Sequence, residues 1–184
     1  MRKLMFLVGV VFLFSVSASA QGVGRSAIDL FGGYTFDHTS PGVEFSSFNS
    51  NGGVGSVALN FTSWGSLVAE VGGIHATHIG GADVDATAMT YMAGPKISLF
   101  HRSPLSPFAE ALFGVTRTNS GFNQTTQDHT NFAFSPGVGL DWNASRHFGI
   151  RLAQVDYLWM RVPTSTNQVH WNNFRYSTGI LFRF

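Results

Sequence analysis

The chain has 184 residues, of which 44% are hydrophobic, 14% aromatic and only 11% charged, with a net charge of +1 and no cysteine. A soluble domain carries about 25% charged residues, so much of this surface is not suited to water. The near-neutral charge and the lack of a basic patch argue against a nucleic-acid partner, and the absence of cysteine excludes disulfides, thiolate metal sites and a cysteine nucleophile.

The N-terminal stretch has the layout of a secretory signal peptide. Two basic residues precede the apolar run at 4–14, and Ala18-Ser19-Ala20 is a small-x-small cleavage site. The apolar run is shorter than the roughly 18 residues that a spanning helix needs. We therefore expect residues 1–20 to be removed, leaving residues 21–184 as one mature domain.

From Arg25 onward, large apolar residues alternate with small or polar ones. Successive side chains of a strand point to opposite faces, so this period predicts strands with one apolar and one polar face. Polar or glycine-rich stretches separate the segments. The eight predicted strands cover residues 27–36, 53–62, 67–74, 86–99, 107–118, 132–142, 148–157 and 171–184.

Two strands contain irregularities. Pro95 cannot donate a ladder hydrogen bond, so we expect a bulge or a locally unpaired position there. In the seventh strand, unbroken alternation would place Gln154 and Asp156 on the apolar face. One extra residue switches the parity of a strand, so we predict a bulge near Ala153 to Gln154.

The last strand has the clearest pair of faces. One face contains two arginines, an asparagine, a leucine and small residues, whereas the other is apolar and mostly aromatic. The apolar face consists of Phe174, Tyr176, Thr178, Ile180, Phe182 and Phe184.

The connections alternate between long and short. Polar loops are predicted at 37–51, 75–85, 119–129 and 161–170, whereas the intervening turns are short. This asymmetry is typical of transmembrane barrels, which have short periplasmic turns and longer external loops. We therefore predict an all-β, eight-stranded, antiparallel up-and-down transmembrane β-barrel. The alternative is a soluble lipocalin-like barrel with its apolar face inside, but that fold does not explain the aromatic residues near strand ends.

The charges within strands fall almost entirely on the polar face, which a membrane barrel turns inward. An eight-stranded barrel has an interior just wide enough for side chains, so we expect paired charges in a packed polar core. We expect Glu70 and Glu110 to be neutralised by Lys96, Arg151 and Arg175. A gate, in which an exchange of partners opens a pore, is the alternative. The predicted lumen charges are Asp29, Glu70, Lys96, Glu110, Asp141, Arg151, Asp156 and Arg175.

The signal peptide, the eight strands and the ending from Tyr176 to Phe184 resemble the small outer-membrane barrels of Gram-negative bacteria, the OmpA-like and OmpX-like family. The resemblance implies a location in the bacterial outer membrane, contact with outer-membrane lipid and lipopolysaccharide, and insertion by the barrel assembly machinery. It also implies that Tyr176, Ile180, Phe182 and Phe184 form the signal that this machinery reads. The periplasmic peptidoglycan-binding domain of some members is not expected.

We expect a monomeric surface scaffold, not an enzyme, whose loops contact a surface ligand that the sequence does not identify. A narrow gated pore for small solutes or ions is one alternative. A lipid A-modifying enzyme is the second, because some members of this superfamily are deacylases with a His-x-Ser-Asn element. Here the corresponding stretch is His170-Trp171-Asn172-Asn173, in which asparagine replaces the nucleophilic serine.

Two weaker candidates involve histidines. His129 could act with Ser135 or Asp128, but no spacing rule selects the partner. His75 and His78 with Asp83 and Asp85 could bind a divalent ion, but a solvated external loop with ordinary polar residues is the favoured interpretation. We expect no metal and no cofactor.

Overall fold

A computed structural model describes residues 27–41, 48–76, 86–99, 103–122, 125–163 and 168–184. These residues form eight strands. They are β1 Ile28–Pro41, β2 Phe48–Asn60, β3 Gly65–Ala76, β4 Ala86–Ser98, β5 Leu105–Phe122, β6 Thr125–Asn143, β7 Phe148–Pro163 and β8 Gln168–Arg183.

Each strand pairs antiparallel with its neighbours in sequence, and β1 also pairs with β8, so the sheet closes into a barrel. This confirms the predicted fold. Closure leaves no strand edge unpaired, which a hydrocarbon environment requires of any spanning sheet. Among the described residues no helix has the length and apolar character needed to cross a membrane.

The strands are staggered around the barrel. If one follows the register partners around the barrel from Ala27 of β1, the path arrives back on β1 at Asp37, ten residues further along the strand. Stagger and strand tilt are linked, so each step around the wall also moves along the barrel axis. The path passes through Asn60, Ser66, Lys96, Glu110, Gly137, Asp156 and Arg175.

Alternation sorts the side chains as the sequence predicts. Large apolar residues cover the outer wall, for example Tyr34 at 50% exposure, Phe113 at 48% and Phe182 at 49%. The interior contains charged and polar groups together with two apolar clusters. These clusters consist of Ala58, Val68, Met92, Leu112, Ala133 and Leu158, and of Phe31, Val54 and Leu181.

Both predicted irregularities are present. The register of β7 shifts between Arg151 and Gln154 against β8, with a matching shift against β6, so Arg151, Gln154 and Asp156 are all buried inside. The bulge is thus confirmed. At Pro95 the pairing of β4 with β5 is interrupted and resumes in the same register on both sides, so the position is locally unpaired without a bulge.

The predicted loop boundaries are wrong in places. Strands β5 and β6 continue to Phe122 and from Thr125, and they pair through Asn119 and Asp128, inside the predicted loop 119–129. Strands β1, β2, β7 and β8 likewise extend into the predicted loops 37–51 and 161–170. Backbone pairing does not need an apolar face, so hairpins continue where both faces are polar and the alternation disappears.

Candidate functional site

The charged barrel interior is the candidate site. The eight charged side chains that alternation assigns to the inner face are all buried, with exposures of 6% or less. Burial of this many ionisable groups is tolerated only if they pair or accept hydrogen bonds. They are Asp29, Glu70, Lys96, Glu110, Asp141, Arg151, Asp156 and Arg175.

Arg175 forms the central ion pair. Its Nη2 lies 2.6 Å from Glu70 Oε1 and 2.9 Å from Asp156 Oδ2, and its Nε donates to the same Asp156 oxygen at 3.0 Å. Asp156 is on the adjacent strand β7, whereas Glu70 is on β3, which is not a neighbour of β8. The guanidinium therefore connects two separate parts of the wall through the lumen.

A second group of charges centres on Asp141. Arg151 Nε donates to Asp141 Oδ1 at 2.9 Å, and Lys96 Nζ reaches Asp141 Oδ2 at 3.5 Å. The Phe108 ring lies beneath both cations, with its centroid 4.0 Å from Lys96 Nζ and 4.5 Å from the Arg151 guanidinium carbon. The ring limits the room for water beside these cations and adds cation–π attraction.

Gln154 joins the two groups. Its Oε1 accepts a hydrogen bond from Arg151 Nη1 at 2.6 Å, and its Nε2 donates at 2.9 Å both to Glu110 Oε1 and to Asp156 Oδ1. The β7 bulge makes this possible, because without the extra residue the Gln154 side chain would face outward.

The pairing differs from the sequence-based expectation at Glu110. Lys96 and Glu110 are register partners, yet the Lys96 ammonium is paired with Asp141, and Glu110 accepts its hydrogen bond from the Gln154 amide. Asp29 faces Arg183, with 3.8 Å between Arg183 Nε and Asp29 Oδ2. The Arg183 guanidinium also donates to Asn143 Oδ1.

The interior is closely packed at two places. A Cβ added at Gly137 would collide with the Asp156 carboxylate, so Asp156 lies directly against the backbone of β6. The cavity among Asp29, Lys96, Glu110 and Arg151 holds about 10 Å³, roughly the space of one water. The space between these four side chains is therefore narrow.

Two interior residues were not singled out by the sequence reasoning. Asp37 was assigned to a loop, but it extends the inward parity of β1, is 1% exposed and pairs with Arg175 in the β1–β8 register. Asn173 is 2% exposed. Following the parity of each strand beyond its last apolar residue would have identified both.

Several buried oxygens have no hydrogen-bond partner among the described residues. They are Asp37 Oδ1, Ser50 Oγ, Glu70 Oε2, Thr116 Oγ1, Ser135 Oγ and Asn173 Oδ1. Buried polar atoms of this kind are usually satisfied by ordered water.

The described side chains of the interior include six carboxyl groups and four basic groups, since Asp37 and Arg183 add to the eight residues above.

The catalytic and metal candidates gain no support from the described residues. Ser135 is fully buried inside the barrel, and the side chains of His129, Asp128 and His170 lie outside the described set. His75 Nδ1 is 3.2 Å from Thr87 Oγ1, whereas residues 78, 83 and 85 are not described. No group of three or more His, Asp or Glu side chains able to hold a metal occurs in the described part of the chain.

The residues of the expected assembly signal share the outer face of the barrel. Tyr176, Ile180 and Phe182 are 41%, 45% and 49% exposed, and Phe184 is 65% exposed at the end that carries the short connections. The Tyr176 hydroxyl donates to the Leu152 carbonyl at 3.1 Å.

Comparison with solved structures shows the same fold. Neisserial surface protein A matches with a TM-score of 0.70 at 11% identity, over 88% of this chain and 99% of that one. The attachment invasion locus protein Ail of Yersinia pestis matches with a TM-score of 0.59 at 14% identity, over 86% and 99%. The N-terminal β-barrel domain of Pseudomonas aeruginosa OprF matches with a TM-score of 0.56 at 13% identity, over 87% and 99%.

The family assignment comes from sequence. No curated protein sequence matches the chain. The family model described as "Outer membrane protein beta-barrel domain" matches residues 6–180, which is most of the chain. The protein is therefore a member of the outer membrane protein β-barrel family and resides in the bacterial outer membrane.

Proposed function

We propose that this protein is a closed, non-catalytic outer-membrane scaffold whose barrel does not conduct in its resting state and whose external loops carry its interactions. The observation that supports a closed lumen is the Arg175 guanidinium. It pairs with Asp156 on the neighbouring strand β7 and with Glu70 on β3, which is not a neighbour of β8. An ion pair that crosses a narrow lumen occupies the path that a solute would need.

The interior network serves stability in this proposal. Removing one partner of a buried pair leaves an uncompensated charge and costs about 3–5 kcal/mol. Arg175, Gln154 and Asp141 each connect two or more other groups, so the network ties β3, β4, β5, β6, β7 and β8 together.

The test is electrical current across a planar lipid bilayer containing the refolded mature barrel. Folded protein, identified by its faster electrophoretic migration before heating, should give no discrete current steps. Voltage-stable steps from folded protein would contradict the closed scaffold.

A narrow gated pore is the second candidate, and the excess of acidic groups favours it. Six carboxyl groups face four basic groups in the described interior, and several oxygens there are unpartnered. A lumen with excess negative charge attracts cations. If current steps appear, their reversal potential in a KCl gradient should have the sign of cation preference, whereas anion preference would contradict this pore.

We further propose that Tyr176, Ile180, Phe182 and Phe184 act as the assembly signal, and that residues 1–20 are a cleaved signal peptide outside the described residues. The outward exposure of the four residues supports their accessibility. Deleting Phe184 should lower the amount of folded barrel in cells while leaving refolding into detergent unchanged. Equal loss in both settings would instead indicate a role in barrel stability.

A further inference from the structure

The described charges of the barrel interior fall into two sets that differ in balance. The first set lies towards the end with the short connections, and four of its members line the same small cavity. It contains three carboxyl groups and three basic groups, so its described charges are equal in number. The members are Asp29, Glu110, Asp141, Lys96, Arg151 and Arg183.

In the second set, three carboxyl groups share one guanidinium. Arg175 is paired with Glu70 and Asp156, and its register partner on β1 is Asp37. Asp37 lies in the second half of β1, away from the short connections, and is 1% exposed. The described side chains of this set therefore include two more acidic groups than basic ones. Buried charge is costly unless it is compensated, so this excess calls for a further positive charge.

Unpartnered oxygens are concentrated around the second set. Asp37 Oδ1 and Glu70 Oε2 have no hydrogen-bond partner among the described residues, whereas every buried carboxylate oxygen of the first set has one or is reached by solvent. Ser50 Oγ and Asn173 Oδ1 are also without a described partner, and both residues are 2% exposed. The uncompensated charge and the unsatisfied oxygens thus occur in the same part of the lumen.

Three of these oxygens belong to adjacent strands, β8, β1 and β2. Asp37 and Ser50 are register partners, so their Cβ atoms are about 5 Å apart. Asn173 lies two residues from Arg175 and is therefore diagonal to Asp37, at about 7–8 Å. All three side chains point inward, and their unpartnered oxygens do not bond one another. A carboxylate, a hydroxyl and an amide oxygen therefore share one stretch of the inner wall.

We propose that Asp37, Ser50 and Asn173 hold a small hard cation, such as Na⁺ or Ca²⁺, in the half of the lumen away from the short connections. Carboxylate and amide oxygens are the protein ligands that hard cations take, and water fills their remaining coordination positions. Water alone would satisfy the hydrogen bonds but would leave the excess of negative charge. The set has no imidazole or thiolate, so it does not suit a softer metal. The inference rests on the charge balance of the interior and applies whether or not the lumen conducts.

Urea unfolding of the refolded barrel in phosphatidylcholine vesicles tests this proposal. NaCl, KCl, MgCl₂ and CaCl₂ would each be compared at constant ionic strength with the chloride of N-methylglucamine, a cation too large for the site. An ion that binds only the folded state raises the folding equilibrium constant about tenfold at ten times its dissociation constant. At least one metal ion should therefore raise the urea midpoint with a saturable dependence on its concentration. Equal midpoints in all five salts would overturn the proposal.

Two variants locate the ion. Asp37→Asn should abolish the rise in midpoint, and Ser50→Ala should increase the half-saturating ion concentration severalfold. Ser106→Ala is the matched control, because Ser106 is also buried but donates to the Leu99 carbonyl at a short connection, and it should respond as the wild type does.

The ion response of the variants decides the outcome. A wild-type response in Asp37→Asn would overturn the proposal, as would equal weakening in Ser50→Ala and Ser106→Ala. If Asp37→Asn does not fold, an unchanged half-saturating concentration in Ser50→Ala would overturn it. Heat-dependent electrophoretic mobility would show which variants are folded.

Discussion

The two faces of β8 differ in how strongly their neighbours constrain each residue. Inward Arg175 has carboxylate partners on two other strands within 3.0 Å, whereas outward Tyr176 and Ile180 are about half exposed. The inner face depends on specific partners, while the outer face mainly requires apolar residues of suitable size. Substitutions at adjacent positions of one strand should therefore differ in effect by severalfold.

The largest difference is expected between Arg175→Met and Tyr176→Phe. The first leaves Glu70 and Asp156 buried without their cation and should lower the free energy of unfolding by about 3–5 kcal/mol. The second removes one exposed hydrogen bond and should cost about 1 kcal/mol or less. Urea titration of the folded fraction in lipid vesicles measures both, and equal losses would remove the distinction between the faces.

Two glycine-to-alanine substitutions add the same methyl group to the inner and to the outer face of the barrel. The Cβ of Gly137→Ala would collide with the Asp156 carboxylate, and overpacking of this kind costs about 1–3 kcal/mol. Gly55→Ala places the same methyl group at an ordinary van der Waals distance, 3.7 Å from the Phe31 carbonyl oxygen, and such surface changes remain within about 0.5 kcal/mol. The urea midpoints of the two variants would be compared. A larger loss of stability for Gly55→Ala than for Gly137→Ala would contradict the claim that the outer face tolerates added side-chain volume better than the inner face.

Two amide substitutions compare positions within the inner face. Glu70→Gln removes a charge from the Arg175 pair and should cost about 1.5–3 kcal/mol, the usual value of a charge-assisted hydrogen bond. Glu110→Gln keeps an oxygen that accepts from the Gln154 amide, so a change below about 1 kcal/mol is expected. A larger effect at Glu110 would show that a basic side chain supports its carboxylate more than the Gln154 bond does.

A small effect is also expected for an aromatic pair on the outer wall. Phe113 and Phe134 stack with ring centroids 4.8 Å apart. Phe113→Leu keeps most of the apolar area and loses the ring contact, which contributes about 0.5–1.5 kcal/mol. The same urea titration measures it. Loss as great as that of Arg175→Met would show that the outer face also depends on specific partners.

The sequence was sufficient for features that depend on alternation. It predicted the barrel, the faces of the strands and the bulge near Ala153, because each follows from the parity of one strand. It did not identify the Gln154 contacts or the pairing of Lys96 with Asp141 in place of Glu110. Gln154–Glu110 and Lys96–Asp141 join strands that are not neighbours, and the stagger of the barrel and the choice of rotamers decide these contacts. Glu70 and Arg175 are 105 positions apart, and no local pattern selects them as partners.

A double-mutant cycle on Glu70 and Arg175 tests most directly whether the interior charges form one ion-pair network that closes the lumen. Glu70→Gln, Arg175→Met and the double variant would be unfolded in urea from lipid vesicles. The account predicts that the double variant loses at least about 1.5 kcal/mol less stability than the two single losses combined, as expected for partners in one ion-pair network. Additivity within about 0.5 kcal/mol would show that the two residues do not support each other and would contradict the closed network.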